Sequence, residues 1–294
     1  MAREKTDEPP LYLTTREVAA LLRVKERKIY DLAAAGEIPH RRITGKLLFP
    51  RAELMDWAGL GAEGALSERP MVLAGSHDPL LEWAVRESGS GLATILNGSE
   101  DGLRRFVDRE AALAGIHFHE EGGGWNVATV EHWRLVGCVL LEWAVRSRGL
   151  ILSEKVEDRV ESVADLRGMR VAMRPPGAAA AALFETLLRQ AGMKATDIDR
   201  LATPAWTESD AAAAVAAGEA DAALGIEAMA RQFDLPFRLL VLERFDLVVD
   251  RRAYFTRPVR ALLDFAAGRA MREKAKAMGG YALSDAGRVR WLSP

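Results

Sequence analysis

Met71-Val72-Leu73-Ala74-Gly75-Ser76-His77-Asp78-Pro79 decides the fold. Five small or apolar residues read as a buried strand, a short polar turn follows, and Pro79 opens a helix that runs to about Glu87. The unit recurs. Leu92-Ala93-Thr94-Ile95-Leu96 precedes a helix from about Glu100 to Arg109, and Ala112-Leu113-Ala114-Gly115-Ile116 ends in His117-Phe118-His119. After Leu150-Ile151-Leu152 a second series begins. Arg170-Val171-Ala172-Met173 leads through Pro175-Pro176-Gly177 into an Ala-rich helix, Leu201-Ala202-Thr203 leads to a helix at Ser209–Ala217, and the run from Ala220 to Ile226 leads to one at Glu227–Gln232. Strands separated by one-helix crossovers predict an α/β body with a parallel sheet, helices on both faces, and two lobes around a cleft.

Ligands in such sheets bind beyond the carboxyl ends of the strands, where helix N-termini present free N–H groups and short hydroxyls can join them. The candidate ligand-binding residues are therefore the strand-end ones: Ser76, His77, Asn97, Ser99 and His117 on the first lobe, with Arg174, Gly177, Trp206, Thr207 and Gly225 on the second.

The chain has 294 residues and a formal net charge of −2, but the charge is uneven. Leu11 to Arg51 holds nine basic and four acidic residues, a local +5 that leaves −7 for the remainder. Within that basic segment, Thr14 or Thr15 can cap a helix beginning near Arg16. A second helix, Lys25 to about Ala35, turns Ile29, Leu32 and Ala33 inward and Lys25, Arg27, Lys28 and Tyr30 outward. Two short helices joined by a tight turn predict a helix-turn-helix whose second helix enters the major groove. His40 to Phe49 then reads as a hairpin wing offering Arg41, Arg42 and Lys46 to phosphates, and Pro50 opens a third helix to Trp57. The expected DNA-contacting set is Thr15, Lys25, Arg27, Lys28, Tyr30, Arg41, Arg42 and Lys46.

Residues 59–69 are small and Gly-rich, which predicts a flexible connector between a winged head at 11–58 and a two-lobed body at 70–294, the second lobe occupying roughly 153–243. The first ten residues are polar, without the apolar core of a signal peptide, and no run reaches the ~18 apolar residues of a membrane span. With a single cysteine, Cys138, neither internal disulfides nor a Cys-based zinc site is available, which favours a cytoplasmic setting.

The motifs Leu13-Thr14-Thr15-Arg16-Glu17-Val18-Ala19-Ala20-Leu21-Leu22, Ile29-Tyr30, Gly36-Glu37-Ile38-Pro39 and Lys46-Leu47-Leu48-Phe49 resemble the excisionase-type winged helix-turn-helix, related to MerR-type heads. Gly75-Ser76-His77-Asp78-Pro79, Asn97-Gly98-Ser99, Ala114-Gly115-Ile116-His117, the run from Gly218 to Ile226, and Glu243-Arg244-Phe245-Asp246-Leu247-Val248 resemble the type 2 periplasmic-binding-protein-like domain of bacterial regulators in the molybdate- and tungstate-related group. This second resemblance spans Met71 to Tyr281 and implies a ligand-sensing lobe pair, with Ser76 and Ser99 as oxyanion contacts. One turn departs from the family. Pro176-Gly177-Ala178-Ala179-Ala180 stands where a Gly-Ser-Gly-Thr-Arg-like turn is usual, so the second-lobe hydroxyl and guanidinium donors of that turn are missing, leaving Arg174 as a substitute and the backbone N–H groups at the helix start. A small carboxylate is thus an alternative to a molybdate-like oxyanion.

Together the resemblances imply a cytoplasmic ligand-responsive regulator, homodimeric or higher, that binds operator DNA and a small anion without enzymatic activity, cofactor or membrane. The competing reading is a small-molecule-binding or enzyme-like module whose head serves protein contacts. Ser76-His77-Asp78 cannot act as a triad, because three consecutive residues cannot place nucleophile, base and orienter in line. His77, His117 and His119 with Glu120 or Glu121 could in principle ligate a metal, but hydrogen bonding to ligand or loops is the simpler role, and no metal is expected. Trp125 and Trp206 would add apolar surface to the cleft, while Trp83, Trp133 and Trp143 lie in apolar runs read as helical. Gly122-Gly123-Gly124 reads as a flexible loop and Cys138 as an inert buried thiol.

Overall fold

The computed structural model describes residues 10–22, 24–57 and 69–293. The expected polar tail and nearly all of the expected connector lie outside these residues. Residues 1–68 and 69–294 form two compact units.

The first unit is a small helical head with a three-stranded sheet. Its elements are β1 (Tyr12–Thr14), α1 (Thr15–Leu21), α2 (Glu26–Ala34), β2 (Arg41–Ile43), β3 (Lys46–Pro50) and α3 (Arg51–Trp57). Thr14 caps α1. Its hydroxyl accepts the Glu17 N–H while the Glu17 carboxylate accepts the Thr14 N–H, a capping box. Thr15, by contrast, is a buried first-turn residue of α1. The wing turns at Thr44-Gly45, both at positive φ, as a two-residue hairpin loop requires. Strand β1, which the sequence reading missed, pairs with β3 and closes the order β1-β3-β2. Val18, Ile29, Ile38, Phe49 and Leu54 fill the head's own core.

The second unit contains β4 (Val72–Gly75), α4 (Pro79–Glu87), β5 (Ala93–Ile95), α5 (Ser99–Val107), β6 (Leu113–Ile116), α6 (Val127–His132), β7 (Cys138–Leu152), β8 (Arg170–Ala172), α7 (Ala179–Gln190), β9 (Asp199–Arg200), α8 (Glu208–Ala216), β10 (Ala222–Ile226), α9 (Glu227–Gln232), β11 (Phe237–Asp250), α10 (Arg257–Ala266), α11 (Arg269–Met278), β12 (Tyr281–Ala282) and β13 (Val289–Leu292). One sheet runs β5-β4-β6-β11-β7-β10-β8-β9, with β12 and β13 also pairing to β7. Arg69, expected in the connector, is fixed to this unit by its bond to Asp250 at 2.9 Å and its guanidinium over Phe106.

The parallel sheet expected from the crossovers is half of the answer. β4 is parallel to β5 and β6, and β8 to β9 and β10. Joining these two groups are the long strands β7 and β11, antiparallel to each other and to their neighbours. The first half of β7 and the second half of β11 complete one lobe. The rest of each completes the other, so the chain crosses between lobes along these two strands. β7 is buried along nearly its whole length, which also corrects the helical reading of Trp143. Separate apolar clusters fill the two faces of each lobe.

Candidate functional site

Small residues bring the first-lobe strand ends together. Gly75 and Gly98 sit at φ 113° and 109°, and a methyl group on Gly102 would lie 2.4 Å from Gly75 Cα. Only glycine lets α5 pack this closely on the end of β4. The consequence is a buried hydroxyl pair. Ser76 Oγ and Ser99 Oγ are 2.7 Å apart, and the His117 N–H donates to Ser99 Oγ at 3.2 Å. One hydroxyl proton serves the pair itself, which leaves the other free for a ligand.

Across the cleft, Ala178 is the N-cap of α7 and Gly98 that of α5, neither with a side-chain cap. A methyl group on Gly98 would stand 3.9 Å from Ala178 Cα and from the Gly177 carbonyl. Two helix N-termini from opposite lobes thus converge beside the serines, each with unmatched N–H groups and a partial positive charge. Arg174, just ahead of α7, has its Nε and Nη1 buried without a partner. Burial lowers its pKa, against the nearby Glu208 carboxylate.

Beneath this site lies a chain of buried charges that the sequence reading missed. Arg146 Nη1 donates to Asp78 Oδ2 at 2.9 Å and its Nε to Glu243 Oε1 at 2.8 Å. Arg148 Nε donates to Glu243 Oε2 at 2.5 Å and its Nη2 to Glu208 Oε1 at 2.8 Å. Tyr281 adds its hydroxyl to Asp78 Oδ2, and His117 Nδ1–H reaches Glu243 Oε2 at 2.9 Å. Burial pushes both glutamates up, but Arg148 and Arg174 outweigh it to hold Glu208 at about 2, and Arg146 and Arg148 hold Glu243 well below the usual range. The His117 imidazole is lowered by its burial, against the Glu243 carboxylate, and is neutral. A signal existed: Arg146 and Arg148 are two apart, hence on one face of a strand, inside an apolar run. Reading that run as helical hid it.

Of the ten expected ligand residues, the structure brings Ser76, Ser99 and His117 together, with Gly177 of the second lobe beside Gly98 and Arg174 just ahead of it, near Glu208. The other five do different work. His77 turns to Glu82 at 3.1 Å in a separate cavity of about 230 Å³ with Trp83, Met229 and Lys274. Asn97 points to solvent. Thr207 is engaged as the cap of α8, accepting the Asp210 N–H at 3.0 Å. Trp206 lies exposed along a groove of the second lobe with Leu201 and Ala213. Gly225 is packed against Ile151, where a methyl group would meet Cδ1 at 2.4 Å. Trp125 is buried in the second lobe's core cluster and packs edge-on with His119. Among the described residues no group of three His, Cys, Asp or Glu side chains is placed to hold a metal.

In the head, Arg27, Lys28 and Tyr30 are exposed on α2, and Lys25 stands at its N-cap. Arg16, Tyr30, Arg42 and Lys46 line a groove of about 540 Å³ between helix and wing. Of the other expected DNA residues, Thr15 is largely buried but lines the same groove, and Arg41 Nη2 donates to both carboxylate oxygens of Glu53 at 2.8 and 3.1 Å in an exposed pair. Among the described residues no helix is long and apolar enough to cross a membrane.

Comparison with known proteins agrees with this architecture. The helix-turn-helix domain family matches residues 12–59, and the PBP superfamily domain matches residues 81–267. An uncharacterized protein of Bacillus subtilis (strain 168), YvgK, is 24% identical over 264 residues, spanning 80% of this chain and 84% of that one. Among solved structures, PhnD1 of Prochlorococcus marinus (MIT 9301) in complex with methylphosphonate aligns with a TM-score of 0.51 at 11% identity, over 74% of this chain and 92% of that one. A Clostridium perfringens substrate-binding protein with bound phosphate aligns with a TM-score of 0.51 at 12% identity, over 70% and 96%. At these identities the structures share the fold alone. With its two lobes joined by β7 and β11, and with the PBP superfamily profile matching most of its length, the chain belongs to the PBP superfamily and carries a helix-turn-helix domain ahead of that body.

Proposed function

We propose that the chain is a cytoplasmic, ligand-responsive transcriptional regulator without enzymatic activity. Its head binds operator DNA, and its body takes a small anion between the lobes. The observation that carries this is the convergence of two uncapped helix N-termini on the Ser76–Ser99 pair and the unpartnered Arg174. Such a set of donors recognises negative charge. PhnD1 and the Clostridium perfringens protein hold a phosphonate and a phosphate on the same fold, which supports an anion here. The proposed anion is a molybdate-like oxyanion or a small carboxylate. The exposed basic residues of α2 and the wing suit a DNA duplex, and a single head offers few contacts, so a homodimer on a two-fold operator is the proposed binding form.

Ligand and DNA free energies would be coupled reciprocally through lobe closure. The test is fluorescence anisotropy of the full chain on its own promoter fragment, across a salt series, with and without an anion panel. Salt-dependent binding whose affinity changes with one anion supports the proposal. Absence of salt-dependent binding under all these conditions overturns it.

A further inference from the structure

We infer that the interlobe site is built for a singly charged anion, a carboxylate or sulfonate head group, and that Arg174 is the residue that selects it. This rests on the ligand-sensing reading above and names its ligand class. The argument is one of charge. Six buried or largely buried ionised groups surround the site: Asp78, Glu208 and Glu243 against Arg146, Arg148 and Arg174. The two strand arginines are saturated by the three carboxylates. That five-membered chain carries −1, and Arg174 brings the total to zero. His117 adds nothing, since its Nδ1–H serves Glu243 and the ring is neutral. The remaining positive potential comes from the N-termini of α5 and α7, each equivalent to about half a charge. Together they match about one negative charge, and the Glu100 carboxylate, 3.7 Å from where a methyl group on Gly177 would stand, opposes a second.

The donors agree. The serine pair has one free hydroxyl proton, and the turn Pro176-Gly177-Ala178-Ala179-Ala180 contributes only backbone N–H groups. Four acceptor oxygens of a molybdate or sulfate would be under-matched. Arg174 has at least two buried N–H-bearing nitrogens with no partner, an arrangement costly to keep unless an acceptor arrives. The approach of Gly98 to Ala178 keeps the head group small.

The experiment measures binding to the full chain by calorimetry and thermal shift. The probes are acetate, benzoate and methanesulfonate against sulfate and molybdate, with phosphate titrated on both sides of its second ionisation. Methanesulfonate, singly charged throughout, is the control for the phosphate pH series. At least one monoanion is expected to bind about 10-fold or more tighter than either dianion, and phosphate affinity is expected to fall as it becomes doubly charged. Acetate and benzoate against methanesulfonate separates carboxylate from sulfonate. Arg174→Gln is expected to weaken the best monoanion about 10- to 100-fold, with Arg174→Lys recovering part of the loss. Tighter binding of sulfate or molybdate than of every monoanion, or unchanged affinity in Arg174→Gln, would overturn the inference while leaving anion sensing intact. The phosphate series uses the wild-type chain, so it decides even if both variants misfold. If no anion of either charge binds, or if Ser76→Ala with Ser99→Ala leaves binding untouched, the underlying reading falls as well.

Discussion

Asp78 and Arg146 meet through one hydrogen bond, Oδ2 to Nη1 at 2.9 Å, with both side chains fully buried. The other oxygen of Asp78 accepts the Leu81 N–H at 2.7 Å and caps α4. One carboxylate therefore fixes a first-lobe helix to the strand that crosses between the lobes. Removing it leaves Arg146 short of a partner inside the protein, and a broken buried pair is far costlier than a broken surface one. Asp78→Ala is expected to lower the stability of the body by about 3–5 kcal/mol. Asp78→Asn keeps a cap acceptor and should lose less. Urea denaturation followed by tryptophan fluorescence checks both, and a loss below about 1 kcal/mol for Asp78→Ala would show that Arg146 finds another partner.

Acid should act on Glu208. Its folded-state pKa of about 2 lies below its ordinary value of 4.5. Its contribution is then fully present above pH 4.5 and is lost as pH falls toward 2. The term is on the order of 2–3 kcal/mol, given its complete burial. Glu208→Gln should be less stable than wild type at pH 7, and the gap should close as the pH is lowered through this window. Urea midpoints at pH 7, 5 and 3.5 measure it.

Asp246 should behave in the opposite sense. Burial pushes its carboxyl up to about 6, against the pull of Arg290 and Asn126. The folded state then holds that proton more tightly than the unfolded chain, whose value is near 3.8. Stability from this group is present at low pH and declines as pH rises from about 4 to 6. Asp246→Asn should abolish that decline, which is visible as a flatter stability profile across the window.

The parts of this architecture legible in the sequence are those where chemistry changes along the chain. Gly75 to Pro79 announces a strand, a turn and a helix, and the strand-end rule led directly to Ser76 and Ser99, which are 23 positions apart and yet in hydrogen-bond contact. The two crossing strands were hidden for a physical reason. A strand buried on both faces loses the alternation that marks a half-exposed one, so the run containing Trp143 resembles a buried helix as much as a strand. The charges on those strands were hidden too. Arginine and glutamate are seldom fully buried, so nothing in the sequence marked Arg146 and Glu243 as core residues until the register set them opposite each other. Thr207 shows how little a strand-end hydroxyl decides by itself, since one suited to a ligand is equally suited to capping its own helix.

Close packing at Gly102 tests whether the serine pair depends on backbone approach. A methyl group there would lie 2.4 Å from Gly75 Cα and 2.7 Å from Gly75 N, with backbone rather than a flexible side chain in the way. Helix α5 would have to move off β4, carrying Ser99 away from Ser76. Gly102→Ala is expected to cost about 1–3 kcal/mol in stability despite its better helix propensity. It should also weaken the anion-induced thermal shift. A stabilised variant with full anion response would mean that α5 can shift without disturbing the site.

In the head, Arg41 and Lys46 carry the same charge on the same wing but should differ in effect. Arg41 Nη2 donates to both carboxylate oxygens of Glu53, so a phosphate would compete with that carboxylate for the guanidinium. Lys46 stands exposed at the mouth of the groove between α2 and the wing, beside Arg42. Each phosphate that a basic side chain no longer neutralises should reduce the slope of log affinity against log salt by about 0.9. Lys46→Ala and Arg42→Ala are each expected to lower the slope by about that amount per head, uniformly across DNA sequences. Arg41→Ala should leave it nearly unchanged, whereas Glu53→Gln, by freeing Arg41, should strengthen binding at low salt. Anisotropy titrations on promoter and unrelated duplexes across a salt series read all four variants. A slope that falls equally for Arg41→Ala and Lys46→Ala would show that DNA takes Arg41 away from Glu53, and the wing would then hold one more phosphate than its own ion pair suggests.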